Sequence, residues 1–94
     1  MKNGSATQKI PGGKLIRIDV QFSERIERIK ITGDFFLDPE ETLDRIEETL
    51  TGVPLPLDRP ALSQRITDLL VEMHAELIGA APEDIIATLA EAIQ

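Results

Sequence analysis

The sequence predicts an α+β fold: a small antiparallel β-sheet, built on a hairpin with a possible short N-terminal strand, packed with three α-helices. Two observations carry that prediction. Apolar residues recur every second position up to Phe35 and every third or fourth position after Pro39, the change from a strand period to a helix period. Between the two patterns, Lys30-Ile31-Thr32-Gly33-Asp34-Phe35-Phe36-Leu37-Asp38-Pro39-Glu40 converts one into the other within about six residues.

Length and composition narrow the function. Ninety-four residues suit one domain with a single modest core and no cleft between subdomains. The absence of cysteine excludes disulfides, thiolate metal ligands, iron–sulfur clusters and a thiol nucleophile. No apolar run approaches the roughly 20 residues of a membrane span, and Met1 to Gln8 lacks the apolar core of a signal peptide. A cytoplasmic protein with no membrane contact is therefore expected. The net charge of -7 is unevenly placed: residues 1–30 hold seven Lys or Arg against three acids, and residues 31–94 hold three against fourteen. An acidic helical part repels phosphate backbones, and three Phe without Tyr or Trp leave little for bases to stack on. Nucleic acid is not an expected partner. The basic N-terminal third suits solvated strand faces, a small anion or an acidic protein surface.

Residues 1–8 are small and polar and read as a flexible N-terminus, with a single domain over 9–94. Lys9-Ile10-Pro11-Gly12-Gly13-Lys14 is a sharp turn, since Pro11 fixes one φ and the glycines admit conformations closed to other residues. The amides of Gly12 and Gly13, flanked by Lys9 and Lys14, are placed for a small anion-binding concavity. The spacing and following helix of a P-loop are absent, so a plain turn between strands is the simpler reading. From Lys14 to Phe22, Ile16, Ile18, Val20 and Phe22 alternate with Arg17, Asp19 and Gln21, a half-buried strand. After a turn at Ser23-Glu24-Arg25, Ile29, Ile31, Gly33 and Phe35 continue the alternation. Ile26 has the wrong parity: either a bulge near Glu27 and Arg28 re-phases the strand or Ile26 belongs to the turn. Gly33 clears a side chain where a neighbouring backbone or another molecule comes close.

Asp38 as N-cap, Pro39 at the first helical position and Glu41 as capping-box acid predict a helix start. That helix should run from Pro39 to Thr51, with Leu43, Ile46 and Leu50 on one stripe and Gly52 beyond its end. Glu40, Glu41, Asp44, Glu47 and Glu48 read as a solvated face, with a Glu41–Arg45 pair. Val53-Pro54-Leu55-Pro56-Leu57 is an extended connector. Asp58 then caps a second helix whose stripe, Leu62, Ile66, Leu69, Leu70, Met73 and Leu77, ends at Gly79 and reads as the main core helix. His74 lies beside that stripe with no second ligand at a metal spacing, a rim histidine. The last helix opens at Pro82-Glu83-Asp84 and buries Ile85, Ile86, Leu89 and Ile93, as a lid on the sheet or on the second helix. Nucleophile–base pairs, metal sets and buried acid pairs are all missing from the spacing, which points to a non-catalytic module.

Two stretches are richer in special residues than packing demands. Lys9-Ile10-Pro11-Gly12-Gly13-Lys14-Leu15, followed at this separation by Ile31-Thr32-Gly33-Asp34-Phe35-Phe36-Leu37 and Pro39-Glu40, resembles the C-terminal accessory domain of lipoate-protein ligases. In particular it resembles the small, separately encoded subunit of the bipartite archaeal-type ligase. Leu50-Thr51-Gly52-Val53, and Ile78-Gly79 with Pro82-Glu83-Asp84-Ile85, extend the likeness over residues 9 to about 93; the turn at Ser23-Glu24-Arg25 departs from it in lacking a glycine.

The resemblance implies a heterodimer in which a large subunit holds the catalytic site and this domain completes it. The step served is mainly the ATP-dependent activation of lipoate to lipoyl-adenylate. Transfer to a lysine of a lipoyl-carrier domain follows, the glycine cleavage H protein or 2-oxoacid dehydrogenase E2. Lipoate, ATP and Mg²⁺ are expected in the complex and none on the chain alone. No catalytic or metal-binding residue is expected within this chain. Gly12, Gly13 and Lys14 would face the nucleotide, with Lys14 the candidate phosphate contact. Gly33, Asp34, Phe35 and Phe36 would form the docking surface, one phenylalanine acting as an apolar anchor and the other as core. The alternatives are a free-standing interaction or scaffold module of similar fold, and a small autonomous enzyme using Asp34 and Lys14.

Overall fold

In the computed structural model, which describes residues 1–94, the N-terminal third is a three-stranded antiparallel meander. Its strands are β1 (Lys2–Ile10), β2 (Lys14–Phe22) and β3 (Ile26–Gly33), in that spatial order. Two short strands, β4 (Phe36–Asp38) and β5 (Glu76–Ile78), pair as a separate antiparallel ribbon. Three helices complete the chain: α1 (Glu41–Leu50), α2 (Arg59–Glu72) and α3 (Pro82–Ile93). The α+β architecture agrees with the sequence reading.

The segment read as a flexible N-terminus is instead most of β1, paired with β2 from Lys2 opposite Phe22 to Ile10 opposite Lys14. Its inward positions are Gly4, Ala6, Gln8 and Ile10. All but Ile10 are small or polar, so no strand signal shows in the sequence. The small residues make room for α3: a Cβ on Gly4 would run into the carbonyl oxygen of Ala92. Gln8 answers the polar groups of the same helix, donating to Glu91 at 3.0 Å and facing the buried Thr88 hydroxyl at 2.9 Å.

The parity conflict at Ile26 resolves as a bulge. Gln21 faces Arg28 and Phe22 faces Ile26, leaving Glu27 as the extra residue and Ile26 inside the core. The turn before it needs no glycine, because the connector after α1 satisfies it. Leu55 donates to the Glu24 carbonyl at 2.9 Å and Ile26 donates to the Val53 carbonyl at 2.9 Å.

The start of the first predicted helix and the end of the second both move. Asp38 does not cap α1; it pairs with Glu76 in the ribbon, and Glu40 precedes the helix with helical backbone and no side-chain cap. Glu47, read as solvated, is half-buried and accepts from the Ile31 amide at 2.7 Å, closing the open edge of β3. Arg45 approaches Glu48 at 3.7 Å rather than Glu41. At α2, Asp58 does cap, accepting from Ala61 at 3.2 Å, but the helix stops at Glu72 and not at Gly79. His74, exposed, takes a φ of 52° and reverses the chain, so that Leu77 faces Leu37 across the ribbon. The apolar spacing continues through Leu77 by coincidence of period; the strand forms because β4 offers a partner.

The core comprises nineteen buried apolar residues from all the main elements. Its centre is α3, whose Ile85, Ile86 and Leu89 are at most 1% exposed and which lies on β1 and β2 on one side and α2 on the other. Each such side chain contributes about 1.5–3 kcal/mol on burial. The last helix is therefore the central one, and α2 is its cover. No helix is long and apolar enough to cross a membrane.

If the β1–α3 contact is as tight as this, Gly4→Ala should destabilise the domain by about 1–3 kcal/mol through overpacking. A urea unfolding midpoint unchanged from the parent would contradict that seating.

Candidate functional site

The β1–β2 turn is shaped by backbone conformation. Gly12 and Gly13 have φ values of 105° and 100°, a region that L side chains disfavour. A Cβ on either would meet nothing within 4 Å, so the glycines are required for conformation and their outer side is open. Gly13 donates its amide to the Ile10 carbonyl at 3.0 Å, which closes the turn. The two-amide anion cradle read from the sequence is therefore not formed, because one of its donors is spent inside the turn.

Asp34 anchors the end of this turn. Its Oδ1 accepts from the Leu15 amide at 2.6 Å, and its own amide donates to the Leu15 carbonyl at 3.3 Å. The carboxylate thus takes the place of one more carbonyl in the β2–β3 ladder, just past Gly33. Gly33 clears space for the same junction: a Cβ there would press on the Leu15 carbonyl and lie 2.7 Å from the Phe35 ring.

The paired phenylalanines separate by role. Phe35 is half-buried against the core, whereas Phe36 is 56% exposed. Phe36 stands opposite Ile78 in the ribbon, and Ile78 is 49% exposed. Leu37 and Leu77, one position on, point to the other face and pack on the core. The ribbon therefore presents one apolar pair outward.

Lys14 reaches the ribbon from the turn. A Cβ built on Gly79 would be 2.8 Å from Lys14 Cγ, so the lysine stem lies across the end of β5. Gly12, Gly13, Lys14, Gly33, Asp34, Phe35 and Phe36 are thereby gathered at one end of the molecule. Ile78 and Gly79 join them. Sequence reasoning missed that pair as site residues, because the helical stripe absorbed Leu77 and left Gly79 as a cap. Three residues of strand carry too few alternations to outweigh it. Beside the ribbon runs a shallow groove of about 720 Å³ lined by Lys30, Thr32, Phe35, Phe36, Asp38 and Leu43 among others.

The outward face of the meander is covered by no helix and carries Lys9, Arg17, Arg28 and Lys30. Asp19 on that face is bound by Arg17 at 2.9 Å and by the Ser5 hydroxyl at 2.8 Å. The Arg17 hydrogen bond first, and that of Ser5 second, hold its carboxyl below the ordinary range. No three His, Asp or Glu side chains converge on a point where they could hold a metal ion.

Residues 3–89 match the family described as the C-terminus of bacterial lipoate protein ligase. A relative, lipoate-protein ligase A subunit 2 of Thermoplasma acidophilum, is 32% identical over 79 residues, covering 80% of this chain and 76% of that protein. Among solved structures, a chain of an archaeal lipoylation system from Thermoplasma acidophilum superposes with a TM-score of 0.74 at 30% identity, covering 94% of each chain. That work is described as a bipartite lipoate protein ligase and its E2 lipoyl domain.

Asp34→Ala should remove the acceptor for the Leu15 amide and lower stability by about 1 kcal/mol, with Asp34→Asn smaller in effect because an acceptor oxygen remains. Equal stability of all three proteins in urea would show that the ladder does not need this oxygen. For Asp19, a carboxyl lowered in the folded state contributes stability present above the unfolded value of about 3.9 and lost as pH falls through the folded value. Its NMR titration should therefore lie below that of an unpaired aspartate, and Arg17→Ala should bring it part of the way back, the Ser5 hydrogen bond remaining.

Proposed function

The chain belongs to the lipoate-protein ligase C-terminal family, and on that premise we propose that it is the accessory subunit of a bipartite ligase, required by the large catalytic subunit to activate lipoate. Activation joins the lipoate carboxylate to the α-phosphorus of ATP and releases pyrophosphate. Negative charge gathers on the leaving phosphates, and a cation held at that point lowers the barrier. The observation that carries the reading is the meeting of Lys14 with an exposed apolar ribbon at one end of the domain.

In this reading the ribbon docks and the lysine acts. Phe36 and Ile78 enter an apolar recess of the large subunit, where a protruding aromatic is the usual energetic anchor. The open outer side of Gly12 and Gly13 lets the partner approach the turn closely, and Lys14 extends toward the nucleotide phosphates. ATP and lipoate are held by the large subunit. The Mg²⁺ that accompanies ATP finds no converging carboxylates here, and the Asp34 carboxylate is already engaged by Leu15. The contribution proposed for this chain is charge and closure, with the metal held by the partner and the ATP phosphates. The activated lipoyl group then passes to a lysine of a carrier domain, the glycine cleavage H protein or 2-oxoacid dehydrogenase E2.

Lipoate-dependent pyrophosphate release by the large subunit, measured with and without this chain, tests the proposal directly. Release should appear only in the mixture; no change with both proteins folded would return the chain to an interaction module of another client. Phe36→Asp should weaken binding to the large subunit by about 30-fold or more, the scale of an interface anchor. Lys14→Ala should leave binding and folding intact and lower adenylation at saturating large subunit by about tenfold or more.

A further inference from the structure

Four glycines have positive φ: Gly12, Gly13, Gly52 and Gly79. At the first three a Cβ would meet nothing within 4 Å, so conformation alone accounts for them. Gly79 is different. With a φ of 93°, it also has the Lys14 stem lying where a side chain would be: a Cβ would stand 2.8 Å from Lys14 Cγ and 3.4 Å from both Cδ and Cε.

We infer that Gly79 is a positioning residue for Lys14: its bare α-carbon is the surface on which the lysine stem is laid, fixing the direction in which the ammonium leaves the domain. The inference rests on the reading of Lys14 as the phosphate contact and adds the residue that aims it. A lysine on an exposed turn samples many rotamers, and ordering it on binding opposes the interaction it makes. Contact along three consecutive methylenes removes much of that freedom beforehand, which is preorganisation at the level of one side chain. The two ends of the contact come from distant parts of the chain. Asp34 holds the backbone next to Lys14 through the Leu15 amide, and the β4–β5 pairing places Gly79 beneath the stem. Backbone and side chain of the lysine are thus fixed by separate elements.

The atoms that a methyl group at position 79 would displace belong to a flexible side chain and not to backbone. Gly79→Ala should therefore turn Lys14 away, and the φ of 93° adds a backbone strain that is the same whether or not Lys14 is present.

The test is a double-mutant cycle on the reconstituted two-subunit ligase, read as kcat and KM for ATP in lipoate-dependent pyrophosphate release. Gly79→Ala should lower kcat/KM at least to a level near that of Lys14→Ala, and should lower it much less when Lys14 is already alanine. An equal loss from Gly79→Ala in both backgrounds would mean that position 79 acts through strain or docking, and would overturn the inference. So would full activity of Gly79→Ala beside an impaired Lys14→Ala. Full activity of Lys14→Ala itself would instead remove the phosphate contact, and with it both readings. Should Gly79→Ala not fold, the parent chain decides: a nuclear Overhauser effect between the Lys14 γ-protons and the Gly79 α-protons supports the contact, and its absence from an assigned spectrum overturns it.

Discussion

The seating of α3 on the inward face of β1 and β2 is the constraint on which the rest of the domain depends, because it joins the two ends of the chain through backbone contact. Gly4 has no side chain, so the Ala92 carbonyl can occupy the position a Cβ would take. With the helix that low, Ile85, Ile86 and Leu89 are removed from water over the same face that buries Ile16 and Ile18. The Gln8 amide completes the joint by meeting Thr88 and Glu91, so the polar groups on that face are paired inside the fold. Strand and helix are each poor structures alone: β1 has little apolar surface of its own, and α3 has more apolar surface than a solvated helix tolerates.

That seating also determines what gathers at the other end of the sheet. Because α3 begins at Pro82, the short strand before it lies against β4 and ends beside the β1–β2 turn. Three separate stretches meet there: the turn with Lys14, the Gly33–Phe36 junction, and Ile78-Gly79. Asp34 has a structural task, extending the β2–β3 ladder onto Leu15. Phe35 turns inward over Gly33 while Phe36 turns outward beside Ile78. A consecutive pair of aromatics thus divides into one that holds the junction and one that is left exposed.

The charge asymmetry acquires a geometry in the same way. Basic residues lie on the uncovered outer face of the meander and at the turn, and acids lie along α1. Not every acid is free: Glu47 closes the β3 edge by accepting from Ile31, and Asp19 is bound by Arg17 and Ser5 on the basic face. What remains for a partner is an apolar ribbon with a lysine at its side. The proposed docking and phosphate contact rest on that combination.

The sequence by itself determined the β2–β3 hairpin, the parity conflict at Ile26, the three helical segments and the turn and junction stretches. These are local matters, set by alternation, by glycine and proline, and by apolar stripes of adequate length. The family likeness was legible for a related reason, since its signal lies in short runs of unusual residues such as Pro11-Gly12-Gly13-Lys14 and Gly33-Asp34-Phe35-Phe36. Strand β1 was hidden because its inward residues are small or polar, chosen to admit a helix from the far end of the chain. The ribbon was hidden because Glu76–Ile78 is three residues long and its Leu77 continued a helical period. Only tertiary structure could decide that α2 ends at Glu72, that α3 lies at the centre, and that Gly79 lies under Lys14. Each of those outcomes is fixed by a partner far away in the chain, and no local pattern encodes which distant edge or side chain will occupy the space.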